Sequence, residues 1–307
     1  MFLTLRLVAA ALLFPPSTLA ARSYNYTENV LTHPPNETRS ITFKPFPDDP
    51  DLKNSEWTWR VNITDTPTPG QQINYPFFFS DNTPLEARGL VVTWDLVWPK
   101  GGVLSETLSQ NAPTICASMP FTLTFLPKVT NLWPEENTDS PDCAPVLGQA
   151  CVDTILANGK VHKGPERSCS LATPWDKLPE CKDKFKYIYD KDRSGWGGTI
   201  SGGIDSLESG ESFASYANTY DGKDTSIYEA AVNMLQIVLL HSLPPSPAFQ
   251  NMTQREPFLA CMRVKTDKLP VEEEGDGGRN AAPGGTRIDW LVACSTLGLA
   301  IIMALGL

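Results

Sequence analysis

Residues 57–64 alternate apolar and polar side chains without interruption, and this alternation constrains the fold more than any other feature of the chain. A period of two residues places Trp57, Trp59, Val61 and Ile63 on one face of a β-strand. We expect Trp57 and Trp59 to lie in a hydrophobic core and the opposite face to meet solvent. One buried face and one solvated face are typical of a strand in an antiparallel sheet.

Further strands are expected at residues 75–79, 90–98, 121–125, 187–189 and 258–264. The first of these is expected at a sheet edge, because Pro76 has no amide hydrogen to donate. Strands that are separated by clusters of proline and glycine favour an antiparallel sandwich over βαβ units. Proline supplies 27 of the 307 residues, about 9% against a usual ~5%, which disfavours a helical bundle.

A single helix is expected at about residues 226–241. Ser226 and Glu229 have the spacing of a capping box, in which each side chain accepts a backbone amide hydrogen at the start of a helix. No glycine or proline follows before Pro244, and apolar side chains cover most faces, so the helix is expected to be buried. A buried strand at residues 234–240 is the alternative. The predicted fold is mainly β: an antiparallel, sandwich-like, disulfide-bonded ectodomain with one buried helix.

Residues 1–20 have the pattern of a secretory signal peptide. Arg6 supplies a positive charge, a short apolar run follows, and small residues precede the expected cleavage site. The apolar run is too short to span a bilayer, which takes about 20 residues. Residues 21–54 are then expected to form an extended, proline-rich N-terminal segment, and residues 55–268 the β-rich ectodomain.

Residues 269–287 are expected to form an acidic, glycine-rich linker, and residues 288–307 are almost entirely apolar. Small residues, a polar spacer and an apolar tail are the pattern of a glycosylphosphatidylinositol (GPI) attachment signal, whose tail is removed. We expect attachment at Asn280, with Asp276 as the alternative. A single-pass membrane helix is the competing interpretation, but such a helix normally carries Lys or Arg on its cytoplasmic side. No Lys or Arg follows residue 290.

The chain has seven cysteines, of which Cys294 lies in the apolar tail. The six that remain in the mature chain are an even number, as a disulfide framework requires. They are expected to form disulfides: Cys116, Cys143, Cys151, Cys169, Cys181 and Cys261. Six cysteines allow 15 pairings, of which we expect two local bridges and one long one: Cys143–Cys151, Cys169–Cys181 and Cys116–Cys261.

Four Asn-x-Ser/Thr sequons are expected to carry N-glycans: Asn25, Asn36, Asn62 and Asn251. Such sequons mark surface positions in exported chains. Asn62 lies on the polar face of the predicted strand at residues 57–64. Its side chain is therefore expected to point to water.

The sequence lacks the motifs of common catalytic and nucleotide-binding sites, including GxSxG, HExxH, the P-loop and a strand-flanked GxGxxG. The three histidines, His33, His162 and His241, have no local context that indicates a catalytic triad. A net charge of −10 without a basic stripe argues against nucleic-acid binding, which depends on Lys and Arg at phosphates. We therefore expect no cofactor and no nucleic-acid partner, and a non-enzymatic role is favoured.

A weak calcium-loop pattern begins at Asp190. Asp190, Asp192 and Ser194 occupy the first, third and fifth positions of such a loop, and Gly195 occupies the sixth. The twelfth position holds Ser201 instead of the expected glutamate. A solvated acidic turn is therefore the favoured interpretation.

Asp95 lies within the apolar segment at residues 90–98 and is the one acid in an unusual setting. If it faced a cleft, with a second carboxylate about 5–10 Å away, it could serve in glycoside hydrolysis. An Asp on the solvent side of a strand is the simpler interpretation.

Flat aromatic side chains can stack on sugar rings, and three tryptophans in loop-like segments are the best candidates for such a platform: Trp133, Trp175 and Trp196. Trp196 falls in residues 192–222, which are rich in glycine, serine and aspartate. We expect that stretch to form a long exposed loop.

Together these patterns predict a non-enzymatic, GPI-anchored glycoprotein on the extracellular face of the plasma membrane or in the cell wall. It would contact the membrane through its lipid anchor and bind a cell-wall polysaccharide or a surface protein. One alternative is a carbohydrate-active enzyme, or its relic, that uses Asp95 and a second carboxylate. Another is a secreted, effector-like interaction protein. The layout resembles that of small surface proteins of filamentous fungi, a resemblance that implies no particular activity.

Overall fold

The computed structural model describes residues 33–67, 87–108, 112–120, 123–134, 139–162, 168–187, 199–244 and 254–271. Within these ranges the chain is mainly β, with antiparallel sheets and few helices, as the sequence predicted. The expected edge strand at residues 75–79, the signal peptide and the GPI signal lie outside them.

Ten strands lie within the described ranges: β1 (Glu37–Phe43), β2 (Trp57–Pro67), β3 (Ala87–Val97), β4 (Ile115–Pro120), β5 (Leu123–Phe125), β6 (Phe185–Tyr187), β7 (Thr199–Gly203), β8 (Ser212–Asp221), β9 (Leu235–Ser242) and β10 (Phe258–Arg263). The helices there are short: α1 (Leu104–Thr107), α2 (Pro127–Thr130), α3 (Ala144–Leu147), α4 (Gln149–Asn158), a 3₁₀ turn (Trp175–Lys177) and α5 (Ser226–Asn233). None of these helices is long and apolar enough to cross a membrane.

Two four-stranded antiparallel sheets pack face to face, which confirms the sandwich-like prediction. Sheet 1 has the strand order β1-β2-β3-β8, and sheet 2 has the order β10-β9-β4-β7. One core contains side chains from both sheets, among them Trp59 from sheet 1 and Ile115 from sheet 2. A buried hydrogen bond from Trp94 Nε1 to Gln236 Oε1 (3.0 Å) also joins the sheets.

The alternation predicted for β2 is confirmed from Trp57 to Ile63, whereas Thr64 on the opposite face is buried (6% exposed). Its inward side chains, including Trp57, Trp59 and Ile63, are fully buried (0% exposed). Trp59 lies between two apolar partners in the sheet, Ile41 of β1 and Leu96 of β3. Because a buried tryptophan removes about 150–250 Å² from water, β2 contributes a large share of the sandwich core.

The buried helix predicted at residues 226–241 is wrong in its second half. α5 ends at Asn233, and the next residues form β9, the alternative that the sequence left open. All eight residues of β9 are buried, because it lies between β10 and β4 and carries a core on each face. A strand that is buried on both faces is a continuous apolar run, which periodicity cannot distinguish from a buried helix.

The two ends of α5 are fixed by polar contacts other than the predicted capping box. Asp224 accepts the amide hydrogen of Ser226 (3.1 Å), so Asp224 takes the capping role predicted for Ser226 with Glu229. At the other end, the Arg263 guanidinium donates to the Asn233 carbonyl (2.7 Å). That contact satisfies a carbonyl oxygen that has no partner within the helix.

β3 and β10 confirm two of the predicted strands, but other segments differ from expectation. The described part of the predicted loop at residues 192–222 contains β7 and β8, which pair with β4 and β3. The described part of residues 21–54 contains β1, and its Phe46 and Leu52 lie in the sandwich core. The strand predicted at residues 121–125 is reduced to β5 in the described residues, and β4 before it was not predicted.

A second layer covers the outer face of sheet 2, and we call it the covering layer: the described parts of residues 123–187. It contains α2, α3, α4, the β5–β6 ribbon and the 3₁₀ turn. Ile155 of α4 and Trp175 pack with Ile237 and Leu239 of β9 in a second core. Gly148 (φ 78°) joins α3 to α4 in the left-handed region, which glycine adopts without a steric cost.

The three disulfides are Cys116–Cys169, Cys143–Cys261 and Cys151–Cys181. The six predicted disulfide cysteines are therefore confirmed, but the predicted pairing is wrong at every bridge. The first two bridges tie the covering layer to β4 and β10, and the third ties α4 to the segment after the 3₁₀ turn. Closeness in sequence is a poor guide here, because the layer folds back onto a sheet that is built from distant segments.

These pairings predict unequal costs for removing the bridges. Replacing Cys143 and Cys261 together by Ala opens a sequence separation of 118 residues, and replacing Cys151 and Cys181 opens one of 30. On the chain-entropy model the first double variant loses about 1 kcal/mol more stability, since the loss grows with the logarithm of loop length. Denaturant unfolding measures the difference. Non-reducing peptide mapping that joins Cys143 to Cys151 would contradict the structure.

Candidate functional site

The outer face of β1 and β2 presents polar side chains that hydrogen-bond to one another. The Thr42 and Thr58 hydroxyls lie 2.9 Å apart, and the Thr38 hydroxyl donates to Asn62 Oδ1 (3.0 Å). Inward positions on these strands carry the core, so the positions between them point to the opposite side. We call this surface the polar face: Thr38, Ser40, Thr42, Thr58, Arg60 and Asn62.

Asp95 anchors the polar face from the neighbouring strand, β3. Its carboxylate accepts from Arg60 Nε and Nη2 (2.9 Å each) and from Asn62 Nδ2 (2.7 Å). A β-bulge after Trp94 places Ser212 opposite Asp95, and the Ser212 hydroxyl donates to the second carboxylate oxygen. Asp95 is 3% exposed, whereas the Arg60 side chain is 39% exposed. The guanidinium therefore reaches solvent above a buried carboxylate.

This environment bears on the hypothesis that Asp95 is a catalytic acid. Asp95 lies on the polar side of its strand, but it is buried under its hydrogen-bond donors and does not face open solvent. Both of its oxygens accept hydrogen bonds, and none of the described groups that contact it is an acid. Glycoside hydrolysis needs two carboxyl groups with the substrate between them. The contacts of Asp95 instead fit a structural ion pair that holds Arg60 in place.

Asn62 lies on the outer face of β2, as predicted, but its side chain points toward Asp95 and not into water. Its Nδ2 atom, which would carry a glycan, donates to Asp95 (2.7 Å) and to the Thr93 hydroxyl (3.2 Å). A glycan would replace one of the two amide hydrogens and so remove one of these bonds. Asn36 is exposed just before β1 and is the better-placed acceptor.

Two of the three tryptophans predicted as a glycan platform are buried. Trp133 is 2% exposed and Trp175 is 0% exposed, and both lie in the core beneath the covering layer. Their segments resemble loops in sequence, yet they fold onto sheet 2 and supply the apolar side of the covering layer. The platform prediction is therefore wrong for Trp133 and Trp175. Trp196 lies outside the described residues.

A further polar cluster lies on the outer face of sheet 2, where β4, β7 and β9 adjoin. Ser118 Oγ lies 2.7 Å from His241 Nε2 and 2.6 Å from Ser201 Oγ. His162, which follows α4, stacks on His241 with ring centroids 5.2 Å apart and ring planes at 25°. His162 Nε2 lies 3.0 Å from the Ser242 carbonyl oxygen. We call His162 and His241 the histidine pair.

Burial sets the protonation of the histidine pair. It lowers the pKa of His162, and burial together with the neighbouring His162 lowers the pKa of His241 to about 3. A carbonyl oxygen only accepts hydrogen bonds, so His162 carries its proton on Nε2. The Nδ1 atoms of both rings are buried and have no hydrogen-bond partner among the described residues.

A serine and a histidine at hydrogen-bond distance are two parts of a nucleophilic site, but this cluster lacks the other parts. Ser118 and His241 are both 0% exposed, so a substrate cannot reach them. No described carboxylate orients the ring at His241 Nδ1, as a catalytic triad requires. A base with a pKa of about 3 is also poorly matched to proton abstraction near pH 7. The cluster is a closed polar network.

Several predicted sites lie outside the described residues: the calcium pattern at Asp190, Asp192 and Ser194, the GPI positions Asn280 and Asp276, and the sequons at Asn25 and Asn251. Within the described ranges, no three His, Cys, Asp or Glu side chains converge as metal ligands.

Sequence reasoning missed both polar clusters, for different reasons. The outward positions of β2 could be read from its alternation, but the pairing of Arg60 with Asp95 depends on strand register, which the sequence alone does not specify. The contact between His241 and Ser118 could not be predicted, because a helix at residues 226–241 does not place His241 beside β4.

No known protein family, curated protein or solved structure matches the chain. The fold, the polar face and the histidine pair are therefore the observations that bear on function.

Burial of Trp175 predicts a loss of stability when it is replaced by alanine. Emptying a core site of this size costs about 3–5 kcal/mol. Leu132→Ala is the control, because Leu132 lies in the same layer but is 57% exposed, and a surface change of this kind shifts stability by about 0.5 kcal/mol or less. Chemical denaturation compares the two variants. If the Trp175→Ala protein were as stable as the control, the burial of Trp175 would be contradicted.

Proposed function

We propose that this chain is a non-enzymatic, GPI-anchored cell-surface glycoprotein that binds a protein partner through the polar face. The observation that carries the proposal is the organisation of that face. Its hydroxyl and amide side chains are held by one another, and Asp95 holds Arg60 from beneath. A surface that is already ordered loses less conformational entropy on binding than a flexible one.

Arg60 is the central contact in this proposal. Arginine is enriched at protein interfaces and at their energetic hot spots. Its guanidinium has five N–H donors, more than the Asp95 carboxylate engages, and part of it is exposed. A carboxylate or backbone carbonyl of a partner is the matching acceptor.

A protein partner fits the polar face better than a glycan does. Sugar rings are bound chiefly by stacking on exposed aromatic side chains, and the polar face has none. The large apolar side chains that are exposed among the described residues are Leu132, Val161 and Val271, and none of these is aromatic. Hydroxyls and a guanidinium on the outer face of a sheet instead suit the polar atoms of another protein surface.

The disulfides support the export on which this proposal depends. All six cysteines within the described ranges are paired, and such bridges persist mainly in oxidising compartments outside the cytosol. Residues 1–20 would direct the chain into the secretory pathway, and residues 288–307 would direct attachment of the anchor. A secreted, effector-like protein would share the ectodomain and differ in lacking the anchor.

The anchor is tested on the full chain expressed in its own host. A phosphatidylinositol-specific phospholipase should release the protein from membranes, because the only attachment is then a lipid. Protein that stays on the membrane, with residues 288–307 still detectable by mass spectrometry, would refute the anchor.

The binding role is tested with the released protein and a variant that blocks the polar face. Ser40 is exposed at the middle of β1, so Ser40→Trp should obstruct the face without disturbing the core. Ser206→Trp, at an exposed position after β7, is the matched control. We expect Ser40→Trp to weaken cross-linking to surface proteins of host cells about tenfold or more at an unchanged melting temperature. Equal cross-linking by both variants would refute the role of this face, and binding confined to a glycan array would assign it to glycans.

A further inference from the structure

We propose that the histidine pair is an acid-operated latch over the Cys116–Cys169 disulfide. In this proposal, protonation separates the two rings and opens the disulfide to reductants in the surroundings. The proposal does not depend on the partner-binding role of the polar face, because the two sites lie on different sheets.

The histidine pair connects the two segments that the disulfide joins. His241 and Cys116 are direct partners across β9 and β4. His162 forms a bridge with Leu171, two residues along the chain from Cys169. The stacked rings therefore span the same junction as the disulfide, and both hold the same segment of the covering layer against sheet 2.

The latch is closed in the structure. Cys116 is 0% exposed and Cys169 is 7% exposed, so a reductant has little access to the sulfur atoms. His162 is held by its hydrogen bond to the Ser242 carbonyl, and Gln254 Nε2 donates to the same oxygen (3.0 Å). These contacts keep the His162 ring against His241.

Protonation works against this arrangement. In each ring the Nδ1 atom is buried without a partner, so the proton added to His162 would create a buried N–H group that has no acceptor. It would also place a positive charge on a ring whose centroid lies 5.2 Å from that of a second imidazole. Buried donors without acceptors and buried charges without counterions both carry large desolvation costs. Separation of the rings relieves both costs by exposing the charged ring to water.

No charged group among the described residues compensates that positive charge by a direct contact. The groups that touch the pair are neutral: Ser118, the Ser242 carbonyl and Gln254. The charged side chains on neighbouring segments have other partners: Lys160 with Glu256, Arg255 with Asp49, and Asp205 with the Ile115 amide.

The direction of the pH effect follows from the lowered pKa of each ring. An exposed imidazole has a pKa of about 6.5, and both folded values lie below it. The opened state therefore binds more protons, so the closed state is fully favoured above about pH 6.5 and loses stability as the pH falls toward 3. His162, which is half-buried, is the ring that takes the first proton.

The test measures how fast each disulfide is reduced by a water-soluble phosphine, using the intact chain at pH 7 and at pH 4.5. The phosphine gives two electrons to the disulfide and becomes a phosphine oxide, and water supplies its oxygen and the two thiol protons. Cys151–Cys181 is the internal reference, because both cysteines are also buried but the bridge does not join the two segments that the histidine pair connects. The ratio of the two rates removes the intrinsic pH dependence of the reagent.

We expect this ratio to rise about tenfold or more at pH 4.5, because one group that binds a proton only in the opened state shifts opening tenfold per pH unit. His162→Gln should diminish the rise, since an amide can still donate to the Ser242 carbonyl but does not titrate in this range, which leaves His241 as the one titrating ring of the pair. His33→Gln, at an exposed histidine outside the pair, should leave the rise intact.

Two results would overturn the latch: a ratio that stays constant from pH 7 to 4.5 in the unmodified chain, or a rise that persists undiminished in His162→Gln. If His162→Gln does not fold, the ratio in the unmodified chain decides the proposal.

Discussion

Covering both faces of β9 is the constraint on which the rest of the structure depends. Its eight residues are all buried, and their side chains alternate between the core shared with sheet 1 and the core beneath the covering layer. A two-sheet sandwich alone would leave Ile237 and Leu239 in water, at a cost of roughly 25 cal/mol per Å² of apolar surface. The covering layer removes that surface. Its helices are too short to be stable alone, and the three disulfides hold them in place.

The same constraint explains which elements could be predicted from sequence. The outward side chains of β2 at Thr58, Arg60 and Asn62 are partly exposed to solvent. The alternation of polar and apolar residues along β2 therefore predicted both the strand and its buried tryptophans. Both faces of β9 are buried, so its sequence is a continuous apolar run without a two-residue alternation, and such a run also fits a buried helix. Trp133 and Trp175 were misplaced for a related reason, because connections that fold onto a sheet resemble loops in sequence. Disulfide pairing failed with them, since it depends on where the covering layer docks.

The two polar clusters show what burial does to similar side chains in different places. On sheet 1, the Asp95 carboxylate lies beneath donors that it fixes, and the result is an ordered surface that still meets solvent through Arg60. On sheet 2, the covering layer closes over Ser118 and His241, and the result is a network that no substrate reaches. Composition alone could have suggested catalysis at either cluster. Strand register and burial, neither of which is visible in the sequence, leave the first cluster in contact with solvent and enclose the second.

Hydrogen–deuterium exchange of the oxidised and the reduced protein tests most directly whether the disulfide-held layer covers β9. In the oxidised protein we predict that amides of β9 exchange as slowly as those of β2. After reduction, β9 and α4 should exchange faster while β2 stays protected, because the disulfides tie the covering layer to sheet 2 and none reaches sheet 1 within the described residues. Fast exchange at β9 in the oxidised protein, or an equal loss of protection in β2 and β9 on reduction, would contradict this architecture.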